Sequence, residues 1–282
     1  MDGGVAPSDI SQQVRAGGAV PRARAVMPEI EFFQLTDVGC VRTENEDAVG
    51  HWPHEDGLLF AVADGIGGHA GGQIASSLAL EVVAREMERA PGSWPVAKRL
   101  RRAVQEANLE IYTKGITVPE LRRMGTTLTT SAVVGGTLVA AHVGDCRLFL
   151  FRDRKLTQLT KDHTWVGEQV QYGILSPEEA RTHPRRHVVT RSLGQELIVG
   201  IDVLSLDVKP GDVLLQCSDG VHGPIGEAEL GELLAAHPPE AACRALVRRA
   251  REEGGEDNLS AQIAAIIDCP APAARPWWRF GR

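Results

Sequence analysis

Apolar positions along the chain follow two rhythms, and the places where they break are as informative as the runs. Glu29 to Thr36 and Leu58 to Ala63 read as strands, the second being apolar throughout, as expected for a strand covered on both faces. Beyond the glycine-rich stretch Gly65–Gly72, Ile74, Leu78 and Val82 recur every four residues beside Ala75 and Ala79, the spacing of an amphipathic helix. A second helix starts at about Pro95, with Val96, Leu100, Val104, Ala107 and Ile111 on one stripe and Lys98, Arg99, Arg101 and Arg102 facing away. Thr126 to Val134 and Thr137 to Val143 form a hairpin across Gly135-Gly136, and Arg147 to Arg152 and Leu156 to Leu159 form another around Arg152-Asp153-Arg154.

From Lys161 to Arg191 the rhythm loosens. Two short helical pieces, Trp165 to Tyr172 and Pro177 to Thr182, precede the basic run His183-Pro184-Arg185-Arg186-His187, which reads as a surface insertion. Regular structure resumes with strands at Leu197 to Leu206 and Asp212 to Cys217. Helices near Glu227 to Ala236 and Glu240 to Glu252 and a last strand, Leu259 to Ile267, complete the pattern. Helices come in pairs after groups of strands, so the expectation is an α+β fold of antiparallel sheets covered by helix pairs, not a doubly wound parallel sheet. Residues 1–28 are rich in Gly, Ala, Pro and Ser and read as a flexible tail, and 29–268 as one domain. Residues 269–282 read as a second tail with an aromatic, basic tip at Trp277-Trp278.

A hydrophobic content of 43% over 282 residues supplies a sizeable core. The net charge of −7 argues against nucleic acid, which needs a basic footprint, and favours a protein or small-molecule partner. The five cysteines include no CxxC pair, so neither a disulfide framework nor a zinc site is expected, and a reducing cytoplasm fits. No apolar run approaches the ~20 residues of a membrane helix, and no charged region followed by an apolar stretch opens the chain. The expectation is a cytoplasmic monomer without a membrane span.

Four short acidic clusters interrupt the apolar runs: Glu44-Asn45-Glu46-Asp47, Ala63-Asp64-Gly65, Ser218-Asp219-Gly220 and Glu256-Asp257-Asn258. Each lies where a strand-like run meets a turn. Carboxylates without His or Cys partners suit hard divalent cations held by oxygen. Arg42, just upstream of the first cluster, adds a planar fork that can grip phosphate through two hydrogen bonds. Taken singly, an Asp-Gly or Asp-Asn pair is ordinary turn chemistry. Together with Arg42 the four point to metal-assisted phosphate chemistry.

The chain resembles the metal-dependent protein phosphatases of the type 2C serine/threonine family, in their bacterial form, from about Phe32 to Ile267. The resemblance rests on Thr36-Asp37-Val38-Gly39-Cys40-Val41-Arg42-Thr43-Glu44-Asn45-Glu46-Asp47, Ala63-Asp64-Gly65-Ile66-Gly67-Gly68-His69, Met124-Gly125-Thr126-Thr127, His142-Val143-Gly144-Asp145-Cys146-Arg147, Cys217-Ser218-Asp219-Gly220 and Gly254-Gly255-Glu256-Asp257-Asn258. It implies a four-layer α-β-β-α sandwich with a flap insertion at about 161–191. It also implies hydrolysis of phosphoserine and phosphothreonine on proteins by a hydroxide between two Mn(II) or Mg(II) ions. Asp47, Asp64, Asp219 and Asp257 then hold the ions, Asp64 as bridge, the Gly65 carbonyl as a further ligand and Glu46 as the other acid of the first motif. Arg42 holds the phosphoryl oxygens. Asp145 matches a residue that, with Asp219, holds a third, weaker ion; the alternative for Asp145 is an ion pair with Arg147. The substrates include a Ser/Thr kinase that autophosphorylates, an expectation from family analogy alone.

One departure concerns the proton for the leaving group. Animal relatives place a histidine directly after Asp-Gly, where this chain has Ile66, and His69 is read as structural. In the flap, Arg181, Arg185, Arg186 and Arg191 either steer acidic substrates or are merely solvated. Tyr112, Trp165, Met124 and Cys217 are read as packing residues, and no cysteine has the cationic cradle of a thiol nucleophile. Two rival functions are another metal-dependent phosphoesterase, acting on bis-esters, and a phosphoprotein-binding module that has lost catalysis.

Overall fold

The computed structural model describes residues 27–54, 56–67 and 70–270. The readings of His69, of nearly all of the N-terminal tail and of the Trp277-Trp278 tip lie outside the described residues.

Two five-stranded antiparallel sheets face each other. The first is built from β1 (Glu29–Asp37), β8 (Arg147–Arg152), β9 (Lys155–Gln158), β11 (Val213–Cys217) and β12 (Leu259–Asp268), in the order β1-β12-β11-β8-β9. The second contains β2 (Ala48–His54), β3 (Gly57–Ala63), β6 (Leu128–Val134), β7 (Thr137–Val143) and β10 (Asp202–Asp207), in the order β10-β7-β6-β3-β2. A two-residue pair, β4 (Gly65–Ile66) with β5 (Gly125–Thr126), extends from the end of β3. Helices α1 (Ala70–Arg89) and α2 (Val96–Thr117) cover the second sheet; α6 (Glu227–Ala236) and α7 (Pro239–Glu252) cover the first. The result is the four-layer α-β-β-α sandwich expected from the resemblance.

Side-chain alternation explains the layering. Along β3, Leu59, Ala61 and Ala63 join the core beneath α1 and α2, while Leu58 and Phe60 point into the space between the sheets. On the other sheet, Leu148 and Leu150 of β8 meet them there, while Phe149 packs under α6 and α7. Both faces of these strands are buried, which is why their sequences are continuously apolar. Truncating the fully buried Phe60 or Phe149 to alanine removes about 3–5 kcal/mol.

The layer between the sheets also carries a polar seam. Gln216 donates to the Thr129 carbonyl (2.9 Å) and to Gln262 (3.0 Å) and accepts from Ser131 (2.7 Å); Gln262 donates in turn to the Gly50 carbonyl (3.0 Å). Gln216 and Gln262 are paired neighbours in the first sheet, and their bonds to Ser131, Thr129 and Gly50 cross to the second and fix the relative position of the two.

Three elements differ from the sequence expectations. β2 was not anticipated: it is an edge strand interrupted by Pro53, a position where proline disturbs no central ladder. The strand expected from Leu197 begins only at Asp202, because Asn108 of α2 captures the Glu196 and Leu197 carbonyls (3.0 and 3.1 Å) and holds this stretch as a loop, with Ile198 80% exposed. Asp219 opens a short helix, α5 (Asp219–His222), which periodicity is too short to reveal. Arg99 is less free than its place on the outer face of α2 implied, since it donates to the Met87 carbonyl at 2.7 Å. No helix among the described residues is long and apolar enough to cross a membrane.

Candidate metal centre

The antiparallel pairing brings the ends of both sheets to one place. Ala63 pairs with Ala48, Val143 with Leu128, Cys217 with Arg147 and with Ala261, and Leu259 with Asp37. Residues just outside these pairs therefore share one end of the sandwich: Asp47 before β2, Asp64 after β3, Asp145 between β7 and β8, Asp219 after β11 and Asp257 before β12. The electrostatics record the convergence. Burial raises the Asp64 carboxyl well above the usual carboxylate range, and the charges of Asp47, Asp219, Asp145 and Asp257 all push it further.

The backbone around each acid is held by side chains the motifs supply. Asp64 donates its N–H to the Thr127 hydroxyl (3.1 Å), and its carbonyl accepts from the Thr127 N–H and the Thr126 hydroxyl (both 2.8 Å). Asp47 accepts from the Ser218 hydroxyl at 2.7 Å, and burial, with Asp219 and Asp257 nearby, pushes its carboxyl up to about 7. Gly65 needs to be glycine: a Cβ there would lie 2.4 Å from Gly72 and 2.7 Å from the Glu46 carbonyl. The Glu46 carboxyl lies against Gly72 at the first turn of α1, where an added Cβ would be 2.8 Å from Glu46 Cδ.

Asn258, which the motif names without a role, stitches the first motif in place. Its amide donates to the Val38 and Glu44 carbonyls (2.9 and 3.0 Å), and its side-chain oxygen accepts from the Glu46 N–H (2.8 Å). Arg42 stands at the rim, half exposed, donating to Asp257 at 2.8 Å. Burial and Asp219 raise the Asp257 carboxyl, and Arg42 partly offsets them.

The ion pair suggested as an alternative for Asp145 does not form. Arg147 is taken by Asp162 through two nitrogens (3.0 and 2.7 Å), leaving Asp145 Oδ1 buried without a hydrogen-bond partner. Burial, with Asp219 and Asp162, raises the Asp145 carboxyl. Asp219 Oδ1 is likewise buried and unpartnered. Burial pushes the Asp219 carboxyl up, but nearby His187 and His222 outweigh it and hold it below the usual range. His187 reaches Asp219 from the 161–191 segment, its Nδ1 3.8 Å from Oδ2. His222 lies behind the acids with Nε2 2.9 Å from the Asp145 carbonyl, and burial holds its pKa down to about 4. Neither histidine was singled out from sequence, although His222 stands one turn after Asp219.

The 161–191 segment contains α3 (Trp165–Gln171), capped by Thr164, and α4 (Pro177–Thr182), closed by a capping box between Ser176 and Glu179. Trp165 stacks on His183 and lies under Arg185, so it organises the basic run instead of packing in a core. Cys217 and Cys146 are fully buried and their thiols are pushed up by burial, the opposite of what a nucleophile needs.

Among the described residues, no three His, Cys, Asp or Glu side chains are already closed into a cation cage. The donor set nevertheless fits a hard cation: the five converging side chains are all carboxylates, two of their oxygens are buried and unpartnered, and neighbouring acids raise the pKa of Asp64 and Asp145. Such a group of buried acids is costly without positive charge to offset it.

Known proteins share this arrangement of chain. The profile of the Protein phosphatase 2C family matches residues 41–267. The serine/threonine protein phosphatase PstP of Mycobacterium tuberculosis is 38% identical over 240 residues, 85% of this chain but only 45% of PstP, so the chain spans about half the length of that relative. The serine/threonine phosphatase stp of Listeria monocytogenes is 34% identical over 230 residues, covering 80% of this chain and 91% of stp. A crystal structure of the catalytic domain of PstP in complex with two manganese ions superposes with a TM-score of 0.76 at 34% identity, over 85% of this chain and 99% of that one. With the profile spanning most of the sandwich and all five acids inside it, the chain belongs to the protein phosphatase 2C family.

Proposed function

We propose that residues 29–268 form the catalytic domain of a metal-dependent protein serine/threonine phosphatase, with 161–191 as its flap and residues outside 29–268 as tails. The observation that carries this reading is the convergence of Asp47, Asp64, Asp145, Asp219 and Asp257 on one end of the sandwich, with Arg42 at its rim. Asp47, Asp64, Asp219 and Asp257, with the Gly65 carbonyl and Glu46, would hold two Mn(II) or Mg(II) ions, and Asp145 with Asp219 a third. When bound, the ions supply a water acidic enough to act as nucleophile near neutral pH.

The chain's own residues do the rest. Arg42 presents a half-exposed guanidinium that can exchange part of its contact with Asp257 for two phosphoryl oxygens and offset charge building there. The Thr126 and Thr127 bonds fix the Asp64 backbone, and Ser218 fixes Asp47, so neither carboxylate needs to reorganise during the reaction. Hydrolysis delivers inorganic phosphate and returns a proton to the serine or threonine alkoxide. Ile66 occupies the place of the animal-type histidine, so the donor of that proton is a water or another group. The substrates are phosphorylated proteins, among them a Ser/Thr kinase whose autophosphorylation this enzyme reverses in the cytoplasm, acting as a monomer. Two relatives that are named serine/threonine phosphatases support the reading.

Hydrolysis of a phosphothreonine peptide and of bis(p-nitrophenyl) phosphate, each with Mn(II), tests it. The reading requires preference for the peptide. Turnover of the bis-ester alone would favour a phosphodiesterase, and binding of phosphopeptide without release of phosphate would favour a non-catalytic module.

A further inference from the structure

His163 is buried, 6% exposed, and grips Gly144 twice. Its Nδ1 accepts the Gly144 N–H at 3.0 Å, and its own N–H donates to the Gly144 carbonyl at 2.7 Å. Gly144 immediately precedes Asp145. Its left-handed φ of +109° and its closeness to Thr127, whose Cγ2 would lie 2.5 Å from an added Cβ, leave the loop little freedom on its other side. The Asp145 carbonyl is held separately by His222. The backbone is thus fixed around a carboxylate whose Oδ1 has no partner.

The same histidine receives both roots of the flap. The Thr190 N–H donates to the His163 carbonyl at 2.8 Å, and neighbouring Thr164 bridges Val189. Nε2 lies 3.4 Å from Asp202 Oδ2 and 2.9 Å from a guanidinium nitrogen of Arg191, which comes from the end of the flap and donates to Asp202 at 3.1 Å. His142 stacks behind the ring at 4.8 Å. One residue therefore joins the 161–164 root, the 189–191 root and the loop that presents Asp145: its backbone takes Thr190 and the Gly144 carbonyl, and its side chain takes the Gly144 N–H.

We infer that His163 is a positioning residue that registers the flap against the Asp145 carboxylate, so that a weakly held ion at Asp145 and Asp219 and the placement of the flap depend on each other. The inference rests on the metal-centre reading given above. It does not require the substrate to be a phosphoprotein.

Two near-isosteric variants of the full chain separate positioning from bulk structure. Asparagine places an oxygen close to the Nδ1 position and can accept from Gly144, whereas glutamine extends past it. Calorimetric titration with Mn(II) is expected to show two tighter sites and one weaker site in the wild type. His163→Gln should weaken the weakest site about 10- to 100-fold, with the tighter two within about twofold, and His163→Asn should restore it to within about threefold. In parallel, Mn(II) should slow trypsin cleavage after Arg185 and Arg186 in the wild type and His163→Asn but not in His163→Gln or Asp145→Asn. Equal weak-site affinity in His163→Gln and wild type overturns the inference. So does equal loss at all sites, failure of asparagine to restore the site, or the absence of a third Mn(II) in the wild type. Failure of the phosphatase reading appears separately, as Mn-loaded wild type that leaves phosphopeptide intact while the binding data still report on His163.

Discussion

Replacing Gly39 with alanine strains a backbone contact that holds two proposed ligand loops together. Gly39 has φ +86°, and a Cβ built there would lie 2.2 Å from the Asp257 carbonyl oxygen and 2.8 Å from that of Gly255. The left-handed conformation alone costs an alanine about 1–2 kcal/mol. Relieving the overlap needs a further shift of about 0.8 Å between the β1–β2 loop and the 255–257 loop, and displacements of that order at a reacting centre cost about 10²-fold in rate. The two loops carry Arg42 and Asp257, which meet at 2.8 Å, so the shift falls on the site. Gly39→Ala should therefore lower Tm by only about 2–8 °C, while phosphopeptide kcat/KM falls by about two orders of magnitude. Thermal unfolding and steady-state kinetics on the same preparation read both. Wild-type kcat/KM in a folded Gly39→Ala protein would refute the claim that this contact sets the site.

Arg42→Lys should lose about tenfold or more in kcat/KM, because an ammonium cannot reproduce the planar two-point grip; unchanged kinetics would remove Arg42 from substrate binding. For Asp47 the folded pKa of about 7 stands above the unfolded 3.8, so its contribution to stability is full below about pH 4 and is lost as pH rises through about 7. Without metal, Asp47→Asn should thus raise Tm relative to wild type at pH 8 and leave it nearly unchanged at pH 4, as differential scanning calorimetry would show; an equal difference at both pH values would contradict the assignment. Gln216→Met strands the hydrogen-bonding groups of Ser131, Thr129 and Gln262 and should cost about 1–3 kcal/mol in a urea melt, with catalysis retained at permissive temperature.

Legibility tracked physical cause. β3 and the β6–β7 hairpin could be read directly, since burial on both faces leaves a continuous apolar run and Gly135, at φ +56°, supplies the turn. β2 was missed because an edge strand bearing His51, Pro53 and His54 shows no clean alternation. Leu197 and Ile198 looked like strand residues, but their conformation is decided by Asn108, some ninety residues away in the chain. The acids expected to share a site do face one another, and motif order was enough to group them. Asn258, named only as part of a motif, and His163 and His222 were given no role because they act on backbone carbonyls and N–H groups of distant loops, and a single sequence carries no sign of such bonds. Glu46 comes from the same motif as Asp47, and its carboxyl lies against Gly72 of α1, a contact that the spacing of the motif does not show.

The central claim is that the converging acids hold the ions on which phosphate release depends. Chelator-treated protein should release no phosphate from a phosphothreonine peptide, regain turnover on adding back Mn(II), and fail to regain it when Asp64 is replaced by asparagine. Turnover that persists in chelator, or that Mn(II) restores equally in Asp64→Asn, would contradict the account.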